Sequence, residues 1–185
     1  AAEAGSKAPP DGYTLTVGGG NTWIAPLTTK ASYDVERDFL PITLIERTVQ
    51  IVAVHPSVPV KSVRELLDLA KARPGELNYA TTSTAGSIQF SVELFKSMAG
   101  VNIVRIAYKG AAASHTGLII GEVQLGIFDA SVIAPHVKSG RLKALAVTSA
   151  EPSALFPGLP TVAASGLPGY GWVGATGMWA PSKTP

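Results

Sequence analysis

Cysteine is absent from the 185-residue sequence, and histidine occurs only three times. Without cysteine the chain forms no disulfide, no thiolate zinc site and no cysteine nucleophile. His55, His115 and His136 are far apart in the sequence, and we expect each to be a polar surface residue rather than a catalytic base. The sequence therefore predicts no metal site and no cofactor.

Charge is also scarce, because Lys, Arg, Asp and Glu make up 15% of the residues and the net charge is only +2. Lys and Arg do not cluster with interleaved aromatic residues, so we do not expect nucleic acid as a partner. Apolar residues account for 46% of the chain, which is enough for a folded core.

Long apolar runs and a leader pattern are missing as well. Gly, Pro or charged residues interrupt every apolar stretch before it reaches the roughly 18 residues of a membrane-spanning helix. The N-terminus shows no basic segment followed by an apolar core, so no signal peptide is visible. This leaves the compartment open, because a mature or trimmed chain would have lost such a segment.

Short apolar runs alternate with helical patterns along the chain, which is typical of α/β architecture. In a helix predicted over residues 62–72, Ser62 is the N-cap and Glu65 completes a capping box. In a helix predicted over 87–99, Gly100 ends the pattern. Shorter helices are predicted over 115–120 and 132–138, and strands over 13–17, 42–45, 49–54, 77–80, 104–108, 123–128, 142–148 and 174–180.

Three segments fall outside this alternation. Residues 152–171 are rich in Pro and Gly and predict an irregular connection. Residues 1–12 read as the last turns of a small-residue helix followed by a turn. Residues 181–185 form a turn that would introduce another helix, so both ends of the sequence look cut.

The turn over residues 81–87 lies between a predicted strand and a predicted helix and has two interpretations. One is an ordinary strand-to-helix turn in which a Ser or Thr caps the helix. The other is an anion site, because the first amides of a helix lack intrahelical partners and the helix dipole is positive there. Hydroxyl groups would add donors, and small residues would let a ligand approach the backbone. The candidate residues are Thr82, Ser83, Thr84, Ala85, Gly86 and Ser87.

A second donor-rich segment, GGGNT over residues 18–22, follows the first predicted strand. It lacks the Gly-Lys-Ser or Gly-Lys-Thr of a phosphate-binding loop and the glycine spacing of a dinucleotide fingerprint, so nucleotide binding has little support. Ligands of open α/β sheets bind at the carboxyl ends of strands, and two such loops could face each other across a cleft. The candidate residues here are Gly19, Gly20, Asn21 and Thr22.

Two further predicted strand ends carry polar residues. Tyr108 is either a half-buried strand residue or a flat wall of the site with a hydroxyl group. Lys109 is either a solvated turn lysine or a positive charge for the ligand. Asp129 is either the N-cap of the next helix or an acceptor for a ligand ammonium or hydroxyl group.

No catalytic arrangement is evident in the sequence. No serine stands in a Gly-x-Ser-x-Gly elbow, no histidine has the context of a triad, and most of the 13 carboxylates fall on predicted helix faces. We therefore do not expect an enzyme. The alternative function is an α/β enzyme that acts on a small carboxylate through Lys109 or Asp129, which requires a base with a shifted pKa in the cleft.

Ordered stretches of the sequence resemble the extracytoplasmic substrate-binding proteins of tripartite tricarboxylate transporters. The resemblance spans essentially the whole chain, and the number of phrases in the same order makes it specific. The stretches that carry it are APPDGYTLTVGG (8–19), YDVERDFLPITLI (33–45), IVAVHPSVPVKSVRELLDLAKARPGELNYAT (51–81), GVNIVRIAYKGAA (100–112), PHVKSGRLKALAVTS (135–149), LPTVAASGLPGY (159–170) and WAPSKTP (179–185).

The resemblance implies a type II periplasmic-binding-protein fold, in which two α/β lobes joined by crossing segments close on a ligand like a Venus flytrap. Residues 1–47 and 172–185 would form part of the first lobe, and residues 48–171 would form the second. In the family, further elements of the first lobe lie on both sides of the matching region, so we expect the first lobe to be incomplete.

The resemblance also implies a periplasmic, non-enzymatic protein, which we expect to be a monomer. It would capture a tricarboxylate, dicarboxylate or related acid and deliver it to membrane permease subunits. The 81–87 turn matches the second-lobe loop that receives a ligand carboxylate, and Gly19 to Thr22 match the first-lobe loop that faces it. The chain departs from the family at Ala113 and Gly117, where Pro and Asp are usual, and Asp129 falls one place after the family's common Asp.

Overall fold

The computed structural model of the chain describes residues 2–28, 30–82 and 86–185, except the side chains of residues 21, 25, 27 and 28. No helix in these ranges combines the length and apolar character needed to cross a membrane. The helices are α1 (Ala2–Ser6), α2 (Gly20–Thr28), α3 (Val35–Asp38), α4 (Val63–Ala72), α5 (Ser87–Ala99), α6 (Ala111–Ile119) and α7 (Ala130–Lys138). The strands are β1 (Thr16–Gly18), β2 (Phe39–Val54), β3 (Asn78–Thr82), β4 (Val104–Tyr108), β5 (Leu125–Asp129), β6 (Lys143–Val147) and β7 (Val173–Pro181).

The chain divides into two compact units. Unit 1 consists of Ala1–Thr48, Ala85–Ser87 and Gly174–Pro185, and unit 2 consists of Val49–Thr84 and Ile88–Val173. The long strand β2 passes from the first unit into the second between Thr48 and Val49. The two lobes proposed for the whole protein stay a prediction.

Unit 1 is built around the antiparallel pair of β1 and β7, in which Thr16 lies opposite Trp179. Thr16, Trp179 and Phe39 are buried. Trp23 of α2 packs edge-to-face on Trp179, with 4.8 Å between the ring centroids. The helix expected within residues 1–12 is confirmed as α1, whose Gly5 packs closely against Thr16 and Phe39.

Helix α2 was missed by the sequence analysis because its start is glycine-rich and Pro26 lies inside it. Proline has no amide hydrogen, so Pro26 cannot donate to the carbonyl of Thr22 four residues earlier. In the structure the Tyr33 hydroxyl donates to that carbonyl at 2.8 Å. A side chain from outside the helix therefore provides the hydrogen bond that proline removes.

Unit 2 contains a mixed sheet in the order β6-β2-β5-β3-β4. Strands β3, β4 and β5 are parallel, and β2 is antiparallel to β5. Each of the three parallel strands is followed by a helix, α5, α6 or α7, as expected for strand–helix crossovers. The α/β fold class is thereby confirmed.

Apolar clusters cover both faces of the unit 2 sheet. On one face, Leu66 of α4 and Phe95 of α5 pack with Ile127 and Tyr170. On the other face, Leu118 of α6 and Ile133 of α7 pack with strand residues that include Ile51, Phe128 and Val147. Burial on both faces explains why the strands read as continuous apolar runs in the sequence.

The predicted helix boundaries hold best where a capping residue is present. The Glu65 amide donates to the Ser62 hydroxyl at 3.2 Å, as predicted, but the Glu65 carboxylate accepts from the Lys61 amide rather than from Ser62. Helix α5 ends before Gly100, which has a φ of +63°. The irregular connection over 152–171 is also confirmed, since the structure there consists of turns, bends and a single bridge between Thr161 and Val147.

Several predicted boundaries were wrong. The strands predicted over 42–45 and 49–54 are one continuous strand, because Glu46, Arg47 and Thr48 remain extended although they do not alternate with apolar residues. Helix α6 begins four residues earlier than predicted, and α7 begins two residues earlier. The residues before them, Gly110 and Asp129, make no side-chain cap bond, so the sequence pattern did not mark these helix starts. Strand β1 begins three residues later than the predicted strand.

Candidate functional site

The carboxyl ends of the parallel strands in unit 2 lie at one edge of the sheet. Thr82 ends β3, Tyr108 ends β4 and Asp129 ends β5. Helices α5, α6 and α7 follow these ends, so their N-terminal amide groups point toward the same edge. Oriented amides and strand ends of this kind form the usual ligand site of an open α/β sheet.

The caps of α6 and α7 at this edge differ from those of α3 and α4. Asp34 and Ser62 accept hydrogen bonds from the first turns of α3 and α4. At the sheet edge, by contrast, neither Gly110 before α6 nor Asp129 before α7 makes a side-chain cap bond in the described structure. The first-turn amides of α6 and α7 thus do not receive the side-chain acceptors that α3 and α4 have.

Some buried polar atoms without a hydrogen-bond partner in the described chain belong to residues near this edge, and others belong to His136 and Thr184. The Thr81 hydroxyl lies one residue before the end of β3, and the Tyr108 hydroxyl extends from the end of β4. Gln50 Oε1 lies at the start of the unit 2 part of β2, and Gln89 Oε1 extends from the first turn of α5. Such atoms are uncommon in folded proteins and often mark a place where water or a ligand binds.

The 81–87 turn is only partly described. Thr82 is the last residue of β3, and its carbonyl accepts from the Arg105 guanidinium at 3.2 Å. Gly86 precedes α5, and Ser87 is the first residue of that helix. Ser83, Thr84 and Ala85 lie outside the described residues, so their predicted donor roles stay predictions.

The glycine-rich loop of unit 1 joins β1 to α2. Gly19 lies between the two elements, and its carbonyl accepts from the Thr22 amide at 2.9 Å. Gly20 begins α2, and a Cβ atom added to it would lie 3.5 Å from Ser87 Cβ. Thr22 is buried with its side chain packed against Gly18, whereas the side chain of Asn21 lies outside the described residues. The structure thus brings Gly20 and Ser87, from the two predicted loops, close together.

Tyr108 and Lys109 have different environments. The Tyr108 ring packs on α6 at Gly117, where an added Cβ atom would lie 2.6 Å from Tyr108 Cζ. Burial raises the pKa of the Tyr108 hydroxyl, and the nearby Glu122 carboxylate raises it further, although the two groups make no hydrogen bond within normal distance and angle limits. Lys109 is exposed in the turn after β4.

Asp129 is half-buried and contacts a residue that the sequence analysis did not single out. Asp129 Oδ1 accepts from Gln50 Nε2 at 3.2 Å, and the two residues lie directly opposite each other in β2 and β5. Gln50 is 1% exposed. The sequence signal that could have identified Gln50 is its position inside the apolar run from Val49 to Val54, because a glutamine buried with such a strand needs a polar partner.

His115 is not the surface residue that the sequence predicted. It is half-buried in α6, and its ring packs edge-to-face on Phe128 with a centroid distance of 4.6 Å. Burial lowers the pKa of His115, the Asp129 carboxylate opposes this change, and His136 adds to it. The helix that carries His115 starts at Ala111, which turns the histidine toward the sheet rather than toward solvent.

Comparisons with known proteins identify the family. Residues 1–185 match the family described as the tripartite tricarboxylate transporter family receptor. A UPF0065 protein of Bordetella bronchiseptica is 35% identical over 100% of this chain and 55% of its own length. Protein BugT of Bordetella pertussis is 30% identical over 91% of this chain and 52% of its own length.

Solved structures show the same relationship. An R. palustris protein solved with adipate matches with a TM-score of 0.87 and 35% identity over 100% of this chain and 62% of its own. MatC from Rhodopseudomonas palustris, solved with bound malate, matches with a TM-score of 0.84 and 26% identity over 100% of this chain and 63% of its own. The chain thus spans about half the length of these curated relatives and less than two thirds of these structures. It belongs to the tripartite tricarboxylate transporter receptor family.

Proposed function

We propose that this chain is the sequence of a solute-binding receptor, or of part of one, that captures a small carboxylate. The observation that carries the proposal is the family match over all 185 residues. Two similar structures, 35% and 26% identical to this chain, contain adipate and malate, respectively. Both ligands are dicarboxylates, which fits a site built from amide and hydroxyl donors.

The ligand carboxylate binds at the start of α5 in this proposal. The backbone amides of Gly86 and Ser87 supply donors, and the helix dipole favours the negative charge. Hydroxyl groups of Thr82, Ser83, Thr84 and Ser87 add further donors. Hydrogen bonds to an ionised group are about twice as strong as those between neutral groups, so a few such donors hold a carboxylate without a cationic side chain.

The glycine-rich loop of unit 1 contributes backbone rather than side-chain contacts in this proposal. Gly19 and Gly20 present an open backbone close to Ser87, and Asn21 offers an amide side chain. The Thr22 amide already donates to Gly19, so Thr22 shapes the loop and leaves ligand binding to its neighbours. Tyr108 borders the site because it ends β4, although its ring packs on Gly117, and exposed Lys109 adds positive charge near the site.

The proposed activity is capture without chemistry. Catalysis on a bound acid requires a base whose pKa is matched to the reaction. In the described chain, burial raises the pKa of Tyr108, which borders the proposed site, so its hydroxyl stays protonated, and the ring of His115 is packed against Phe128. We therefore infer a receptor that acts in the periplasm as a monomer and passes its ligand to membrane permease subunits.

Calorimetric titration with adipate, malate and succinate tests the proposal. We expect at least one of these acids to bind, and a variant with Thr82→Ala, Ser83→Ala and Ser87→Ala to bind it at least about tenfold more weakly, because charge-assisted hydrogen bonds are lost. A matched variant with Ser57→Ala, Ser97→Ala and Ser139→Ala, whose hydroxyls are on exposed residues, should bind normally.

Two results would contradict the proposal. If the variant with Thr82→Ala, Ser83→Ala and Ser87→Ala bound the acid with unchanged affinity, the carboxylate would not bind at the start of α5. Conversion of a bound acid into product, followed by NMR of the ligand over hours, would favour the alternative of an α/β enzyme.

A further inference from the structure

We propose that Gln50 and Asp129 form an acceptor pair that makes the receptor prefer carboxylates with a hydroxyl or ammonium group on their carbon chain. This inference rests on the proposed function and assigns a specificity role to Gln50. Its basis is the position, burial and hydrogen bonding of these two residues.

The position of the pair follows from the sheet register. Gln50 lies opposite Asp129 in the antiparallel pair of β2 and β5, and side chains directly opposite each other share one face of the sheet. Strand β5 runs parallel to β3, so Asp129 lies at the same edge as Thr82. The acceptor pair therefore faces the edge to which the start of α5 also belongs.

The hydrogen bonding fixes the orientation of the glutamine amide. An ionised carboxylate only accepts hydrogen bonds, so the amide nitrogen of Gln50 faces Asp129 and the amide oxygen faces away. Gln50 Oε1 has no hydrogen-bond partner in the described chain although the residue is 1% exposed. A buried acceptor of this kind favours any bound group that can donate to it.

Thr148 holds the backbone of Gln50 in place. Its amide donates to the Thr148 hydroxyl at 3.2 Å, and its carbonyl accepts from the Thr148 amide at 2.9 Å. Asp129 ends β5 and directly precedes α7, so its main chain is fixed by both elements. Side chains on a rigid backbone discriminate better between ligands than side chains on loops.

Two acceptors side by side determine the chemistry that suits the site. A hydroxyl or ammonium group on the ligand donates to Gln50 Oε1 or to the Asp129 carboxylate and gives the buried oxygen a partner. An unsubstituted dicarboxylate offers no such donor and leaves Gln50 Oε1 without a partner. His115 of α6 interacts electrostatically with Asp129, and burial lowers the pKa of His115, so ligand binding is best measured above pH 7, where His115 is neutral.

Malate, aspartate and succinate provide matched probes, because malate and aspartate are succinate with one added hydroxyl or ammonium group. In calorimetric titrations of the chain at about pH 7.5, where histidine is mostly neutral, we expect malate or aspartate to bind at least about tenfold more tightly than succinate. The Gln50→Met variant should reduce that ratio about threefold or more while succinate affinity changes little. Asp129→Asn should reduce the ratio for aspartate most, because a charged acceptor is lost.

Control variants separate this role from a general loss of structure. Asp68→Asn on α4 lies in unit 2 outside the acceptor pair and should leave the ratio unchanged. Thermal unfolding identifies a variant that has lost its fold. If Gln50→Met does not fold, Gln50→Leu takes its place, since both substitutions replace the amide with an apolar side chain.

Each outcome has a clear meaning. Equal affinities for malate, aspartate and succinate in the wild type overturn the acceptor-pair inference and leave carboxylate capture intact. If Gln50→Met leaves the ratio of malate or aspartate affinity to succinate affinity unchanged, Gln50 does not determine specificity. Absence of binding by all three acids and by adipate overturns the proposed function, and the acceptor-pair inference with it.

Discussion

The two compact units differ in how completely they bury their strands. In unit 2, apolar clusters cover both faces of the sheet, and Ile51, Val52, Ala53 and Val54 of β2 are fully buried. In unit 1 the same strand exposes Leu40 by 42%, Ile42 by 49% and Leu44 by 50%. One strand therefore has two environments although both of its parts contain apolar residues.

The difference shows that burial of a strand depends on what packs against it. Leu40, Ile42 and Leu44 alternate along β2 and share one face of the unit 1 sheet. Val17 of β1 is also exposed, and it lies on the face opposite buried Thr16 because successive strand side chains point to opposite faces. In the unit 1 part of β2, side chains on both faces are exposed from Leu40 to Arg47, so most of the hydrophobic stabilisation in this chain comes from unit 2.

The largest expected effect compares the same substitution in the two units. Ile127→Ala in β5 should lower the free energy of unfolding by about 2–5 kcal/mol, because it leaves a cavity in a closed core. Ile42→Ala in β2 should cost less than about 1 kcal/mol, because the side chain is already half exposed. Urea unfolding followed by circular dichroism measures both values.

Similar losses in the free energy of unfolding for Ile127→Ala and Ile42→Ala would contradict the difference between the two units. That result would mean that the exposed face of the unit 1 sheet is covered in solution. Sedimentation velocity of the wild type and of Ile42→Ala would then show whether a second copy of the chain covers it.

A smaller effect tests the packing density of unit 2. Gly117→Ala should destabilise the chain by about 1–3 kcal/mol, because the added methyl group overlaps the Tyr108 ring and forces it to move. Gly171→Ala is the control, since a Cβ atom there lies 3.6 Å from Ala150 Cβ and should change stability by less than about 1 kcal/mol. Thermal unfolding of both variants checks the order, and an equal effect would show that the Tyr108 ring moves aside freely.

The smallest effect concerns helix caps in the two units. Ser62→Ala should cost about 1 kcal/mol, because the Glu65 amide loses its acceptor at the start of a helix that packs on the unit 2 core. Asp34→Ala should cost less, since α3 contains no buried residue in the described structure. Urea unfolding resolves the difference, and a larger loss for Asp34→Ala would show that α3 matters more to unit 1 than its exposure suggests.

Sequence reasoning was most accurate for elements whose limits are marked by nearby residues. Strand β4 and helix α5 have the predicted bounds, and Gly100 ends α5 as expected. Helix α2 could not be found in this way, because the group that replaces its missing hydrogen bond is Tyr33, which lies eleven residues beyond Thr22. The candidate site was located from its hydroxyl-rich turn, whereas Gln50 was overlooked as one polar residue in an apolar strand.

Capping, helical periodicity and the alternation of strands with helices act over a few neighbouring residues, so the chain alone specified the α/β class, most of its elements and the resemblance to its family. The pairing of Gln50 with Asp129 joins residues 79 positions apart and depends on the register of β2 on β5. A shift of one residue would turn either side chain to the opposite face of the sheet. The acceptor pair therefore exists only in the folded sheet, where register and burial bring two polar residues together and leave one oxygen without a partner.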